Sequence, residues 1–168
     1  VAGGAPFVLA SIGGGTDDAG LLERCRAAWQ LLAARGATGG RRLVLCRGLA
    51  PGPALPATDD VASVAFSGDF LAWLAAADLS VSYAGYNTCA NLLATRTRAI
   101  LVPNPRMSDQ GPRAAALAGL GVARTLAEPS PAVLAAAMAE ALAAPRPVHA
   151  LRLDGAERAA RWLEALAG

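Results

Sequence analysis

Five short apolar runs, residues 7–12, 43–46, 61–66, 79–82 and 99–102, alternate with stretches of helical periodicity and limit the fold more than any other feature. They are too short for helices and show little polar alternation, the pattern of strands covered on both faces. Between them, Leu21, Leu22, Cys25, Ala28, Trp29 and Leu32 recur at three- and four-residue spacing and predict a helix opened by Asp17 or Asp18 and closed by Gly36. Further helices are expected over residues 69–77, 87–95, 110–120, 130–145 and 155–166, with a last short strand at 122–126. Strands and helices in this order fold as α/β: a doubly wound parallel sheet, Rossmann-like, with right-handed crossovers.

The 168 residues suit a single domain, and a start at Val1 rather than Met leads us to expect a piece of a longer, two-domain protein. A net charge of +2, spread along the chain, argues against nucleic acid as a partner. All 15 basic residues are Arg, which removes Schiff-base chemistry and the Lys-dependent phosphate loop. Cys25, Cys46 and Cys89 form no close pair and read as buried small hydrophobes in a reducing compartment. His149, the lone histidine, has no metal-ligand partners nearby, so no metal is expected. The chain opens without a basic, then apolar, leader and has no apolar run of about 18 residues, so a cytoplasmic location is expected.

Ligands of doubly wound sheets bind at the carboxyl ends of the strands, where three polar loops should gather. The first, Gly13-Gly14-Gly15-Thr16-Asp17-Asp18, offers close backbone approach but departs from the dinucleotide fingerprint, whose third glycine is replaced by Asp18. The second, Ser82-Tyr83-Ala84-Gly85-Tyr86-Asn87-Thr88, hands a strand to a helix. Asn87 is placed to cap that helix; the amides of Tyr86, Asn87 and Thr88 and the Thr88 hydroxyl would face a diphosphate, although a cap alone also accounts for the pattern. The third carries Asp109-Gln110 at a helix start, suited to sugar hydroxyls or to capping, with Arg113 one turn further on.

Taken together, "SIGGGTD", "SYAGYNTCANLL" and "ILVPNPRMSDQGPRAAALAGLGVA" resemble the C-terminal domain of glycosyltransferase family 28, the donor-binding half of GT-B enzymes. The resemblance runs over about residues 7–142, and its most specific element pairs G-Y-N-T with a downstream D-Q-x-x-R-A. It implies a nucleotide-sugar-binding domain, usually for a UDP-sugar, facing an N-terminal acceptor domain, in a glycosyltransferase (hexosyltransferase) active only at full length. By the same resemblance, Gly14, Gly15, Thr16, Gly85, Tyr86, Asn87 and Thr88 hold the diphosphate. Phe66, Ser67 and Asn91 meet base and ribose, and Asp109 and Gln110 meet the donor sugar. Asn91 stands where many members carry a ribose-binding Glu. No catalytic base stands out, and no cofactor or metal is implied. The alternatives are a non-catalytic nucleotide-sugar-binding subunit docked on a membrane partner that carries the acceptor site, and a nucleotide-sugar epimerase of the same fold; peripheral membrane association is expected only through the missing half.

Overall fold

The computed structural model describes residues 4–13, 20–49 and 55–167. Six parallel strands lie in the order β3-β2-β1-β4-β5-β6: β1 Phe7–Ser11, β2 Arg42–Cys46, β3 Val61–Val64, β4 Leu79–Ser82, β5 Ala99–Leu101 and β6 Ala123–Thr125. Among the helices are α1 Gly20–Ala34, α2 Phe70–Ala76, α3 Tyr86–Thr95, α4 Gln110–Gly119, α5 Pro131–Ala143 and α6 Gly155–Ala167. Every expected strand and helix is present in type; the third strand stops at Val64, two residues early, and Phe66 turns out to solvent.

Period-two alternation sorts the strand residues onto two apolar faces. Val8, Ala10, Leu43, Leu45, Leu79, Val81 and Ile100 pack against Leu22 and Trp29 of α1 and Leu134 and Met138 of α5. Leu9, Val44 and Leu101 point the other way, onto Leu74 of α2, Leu92 of α3 and Leu117 of α4. Each such fully buried side chain stabilises the fold by about 1.5–3 kcal/mol. Burial also holds the three thiols protonated, Cys25 being pushed up to about 12, so none of them offers a thiolate.

Ser130 caps α5, its hydroxyl accepting from the Val133 amide at 3.3 Å, and Pro131 fills the first helical position. Beyond α5 the chain crosses the bottom of α2, where Arg146 donates to the carbonyls of Ala75 (3.3 Å) and Ala77 (2.9 Å). The terminal α6 then stands off the core: it buries no residue and leaves Trp162, Leu163 and Leu166 exposed on one side. No described helix is long and apolar enough to cross a membrane.

The strand order reverses between β1 and β4: α1 leaves β1 for one face of the sheet and α3 leaves β4 for the other. Such a divergence opens a crevice at the carboxyl ends.

Candidate functional site

A cleft of about 390 Å³ opens at the carboxyl edge and spreads over the ends of β2 and β1 between the β3–α2 loop and α3. Its floor is Ser11 and Cys46, neighbours in register on β1 and β2. Gly13 lines it too, and its φ of 76° turns the chain out of β1 in the left-handed region, where a side chain would be strained. One wall is Phe66, Ser67 and Gly68 with Phe70 and Leu71 of α2; the other is Asn87, Thr88 and Asn91 of α3. No described lining residue is charged.

Thus Phe66, Ser67, Asn87, Thr88 and Asn91, separated in sequence, share one cleft. Phe66 is 64% exposed at its mouth, and Ser67 Oγ accepts the Asp69 amide at 3.1 Å, holding the entry to α2. Asn91 is half-buried and its side-chain amide bonds to none of the described residues; only its backbone carbonyl is engaged from a side chain, accepting the Thr95 hydroxyl at 2.9 Å. Gly14, Gly15, Thr16, Asp17 and Asp18 lie outside the described residues.

The start of α3 corrects one expectation. Asn87 does not cap the helix. Gly85 takes the cap position at φ −63° and ψ 152°, no side chain closes it, and Asn87 sits in the first turn. The reason is that the chain leaves β4 extended through Gly85, whose carbonyl receives the Cys89 amide at 3.0 Å and so starts the helix one residue early. The amides of Tyr86, Asn87 and Thr88 therefore have no acceptor among the described residues, and α3 presents them uncapped beside the cleft. The Thr88 hydroxyl bonds to no described residue and lies 3.8 Å from where a Gly85 Cβ would be. Unpaired amides and the helix dipole favour an anion there by about 0.3–2 kcal/mol.

Asp109 and Gln110, the expected donor-sugar pair, both make hydrogen bonds within the domain. Gln110 is buried, and its Oε1 accepts the Ala84 amide at 3.1 Å and the Asn104 amide at 3.0 Å, tying the β4–α3 turn to the β5–α4 loop. Asp109 occupies the cap position of α4 without capping it. Its carboxylate instead takes Arg113 Nη2 at 2.6 Å, and that hydrogen bond holds its pKa below the usual carboxylate range. Arg113 Nη1 also donates to the Ala84 carbonyl at 2.7 Å, and its guanidinium lies 5.7 Å from the centre of the exposed Tyr86 ring. The two predicted loops are thus braced together by Gln110 and Arg113. Gln110→Leu is expected to strand two amides and cost about 2–3 kcal/mol, read as a lowered urea midpoint at unchanged m-value. Gln110→Glu, which keeps the acceptor, should lose less.

Sequence reasoning missed Ser11, Cys46, Gly48, Phe70 and Leu71 as lining residues. The one signal for Ser11 was a hydroxyl ending an otherwise apolar strand. His149 is not in the cleft; its Nε2 contacts the Leu93 carbonyl at 2.9 Å. Other hollows lie elsewhere on the chain. One of about 330 Å³ sits at the amino ends of β5 and β6, around the Arg124–Glu140 ion pair, the wrong edge for a ligand of this sheet. Another, of about 210 Å³, holds Arg24, Tyr83, Asn104, Arg106 and Glu128.

Residues 45–145 match the glycosyltransferase family 28 C-terminal domain. Among solved structures, the chain is similar to the glycotransferase of kitacinnamycin, at 25% identity over 86% of this chain and 37% of that one, with a TM-score of 0.69. It is similar to CalG4, the calicheamicin glycosyltransferase, at 23% identity over 96% of this chain and 42% of that one (TM-score 0.72). It is also similar to MurG of Acinetobacter baumannii, at 21% identity over 83% of this chain and 44% of that one (TM-score 0.57). The chain thus spans less than half the length of each. No curated protein matches it in sequence.

Proposed function

Since the chain belongs to the family of the glycosyltransferase family 28 C-terminal domain, with the fold of the C-terminal half of a GT-B glycosyltransferase, we propose that it binds a nucleoside diphosphate sugar, with UDP as the nucleotide, and supplies the donor site of a glycosyltransferase. The observation that carries this reading is the uncapped first turn of α3 opening beside a neutral cleft of nucleotide size.

In this reading the diphosphate sits on the amides of Tyr86, Asn87 and Thr88 and on the Thr88 hydroxyl, with Gly14, Gly15 and Thr16 approaching from the first loop. The base lies by Phe66 and Ser67, and the ribose by Asn91. Asp109 and the Nε2 of Gln110 border the donor sugar. Transfer breaks the bond between the anomeric carbon and the diphosphate oxygen, and the charge left on that oxygen meets donors already oriented, which is how such a site lowers the barrier. No described residue lining the cleft is a carboxylate or histidine able to take the acceptor's proton. We therefore assign the base and the acceptor pocket to a second unit, an N-terminal acceptor domain or a partner subunit, and no metal to the diphosphate.

The apolar side of α6 supports a second unit: Trp162, Leu163 and Leu166 are 73%, 64% and 72% exposed. Without that unit the apolar side is expected to pair copies of the isolated chain, and Leu163→Glu with Leu166→Glu should lower the mass read by light scattering while leaving nucleotide affinity within about twofold, because neither residue lines the cleft. The binding reading is tested by calorimetry of the 168-residue chain with UDP, UDP-sugars and uridine. Saturable heat with the diphosphates and none with uridine at the same concentration is expected. No heat with any of them would overturn it. Alone, the chain is expected to bind without transferring sugar.

A further inference from the structure

We propose that the Ser11 hydroxyl binds a ribose hydroxyl of the nucleotide and so sets specificity for the sugar of the nucleoside, an inference that rests on the donor-binding reading above. Ser11 is 1% exposed, lines the cleft floor, and its Oγ has no hydrogen-bond partner among the described residues. A buried hydroxyl without a partner is costly, and a ligand oxygen in the cleft removes that cost. The floor's other polar atom is already engaged, Cys46 Sγ lying 3.2 Å from the Ala65 carbonyl.

The sheet itself indicates which part of the ligand arrives there. Along the edge the order is β3, β2, β1, β4. Phe66 follows β3, Cys46 ends β2, Ser11 ends β1, and the first turn of α3 follows β4. Adjacent strands are roughly 4.8 Å apart. A nucleotide with its base by Phe66 and its diphosphate on α3 therefore lays its ribose over Cys46 and Ser11. A serine hydroxyl both donates and accepts, as does the Asn91 amide on the neighbouring wall, so a neutral pair meets a neutral diol.

Two other serines provide internal controls. Ser80 and Ser82 are also buried with unpartnered hydroxyls, and Ser82 is the register neighbour of Ser11, yet neither lines the cleft. All three Ser→Ala variants should fold, since each removes an unsatisfied hydroxyl. The experiment measures affinities of wild type, Ser11→Ala and Ser82→Ala for UDP, 2′-deoxy-UDP and 3′-deoxy-UDP by calorimetry. Ser11→Ala is expected to weaken UDP by roughly 5- to 20-fold, to lose nothing further on whichever deoxy analogue lacks its partner, and to differ in this from Ser82→Ala, which matches wild type. Equal losses on all three ligands would assign the hydroxyl to the base or phosphate and overturn the inference, as would unchanged UDP affinity in Ser11→Ala or an equal loss in Ser82→Ala. If wild type binds no nucleotide at all, the donor-binding reading falls and takes the inference with it. Wild-type binding with an unaffected Ser11→Ala removes the inference alone.

Discussion

Gly85→Ala is expected to lower UDP affinity at least tenfold while the domain stays folded. The backbone at Gly85 is at φ −63° and ψ 152°, open to any residue, and among the described residues an added Cβ would meet nothing closer than Thr88 Oγ1 at 3.8 Å. Alanine caps a helix less well than glycine but costs less entropy to order, so the net change in stability should stay within about 1 kcal/mol. Neither conformation nor packing against the described residues therefore demands glycine here. On the donor-site account the demand comes from the ligand: a methyl at the cap position stands where a diphosphate approaches the amides of Tyr86, Asn87 and Thr88. Losing even one charge-assisted hydrogen bond, worth about 1.5–3 kcal/mol, lowers affinity roughly 10- to 100-fold. Calorimetry with UDP, paired with thermal melting, separates the two effects. A Gly85→Ala variant that binds as wild type would mean that the helix start is not the diphosphate seat.

The largest expected effect on stability belongs to Trp29. It is fully buried in α1 against the strands, and its indole N–H donates to Asp60 Oδ2 at 2.8 Å, fastening the helix to the segment before β3. Trp29→Ala should cost about 3–5 kcal/mol through the cavity it leaves. Trp29→Phe keeps most of the packing and should cost about 1–2 kcal/mol for the lost hydrogen bond. The two variants also differ from wild type in pH dependence. The Asp60 pKa is lowered, first by the Thr58 hydroxyl at 2.7 Å and then by Trp29, against partial desolvation. A carboxylate with a depressed folded pKa contributes stability above its unfolded value and loses it as pH falls through the folded one. Urea melts between about pH 7 and pH 2 should therefore show a smaller acid-induced loss in Trp29→Phe than in wild type. An equal loss would mean that the indole does not stabilise the ionised carboxylate.

What was legible in the chain follows the range of the physics involved. Helices and strands come from local periodicity, so residues 7–12 and Leu21 to Leu32 announce their elements without tertiary help. The gathering of polar loops at one edge follows from the parallel sheet, which is how Thr88 was placed at a ligand edge, whereas Phe66, Ser67 and Asn91 were reached only through the resemblance to the glycosyltransferase family 28 C-terminal domain. The bracing role of Gln110 was not legible because its partners, the amides of Ala84 and Asn104, belong to a turn 26 positions away and a loop 6 positions away, and no local pattern records such a brace. Asn87 looked like a cap because its residue type favours one, while the extended backbone at Gly85 moved the helix start. Ser11 was overlooked because strand residues were read for apolarity, which says nothing of a buried hydroxyl that no described residue satisfies. The amphipathic pattern of α6 was plain, but that it would stand unpacked was not.

The donor-site account rests on one location for the ligand, and amide chemical shifts report location directly. In a ¹⁵N–¹H titration of the chain with UDP, the amides of Tyr86, Asn87 and Thr88 should move together with those of Phe66, Ser67 and Ser11, saturating along one isotherm. Arg24 and Arg106, in the other hollow near this edge, should stay in place. Shifts that leave the first turn of α3 unmoved, or that centre on Arg24 and Arg106, would contradict the account.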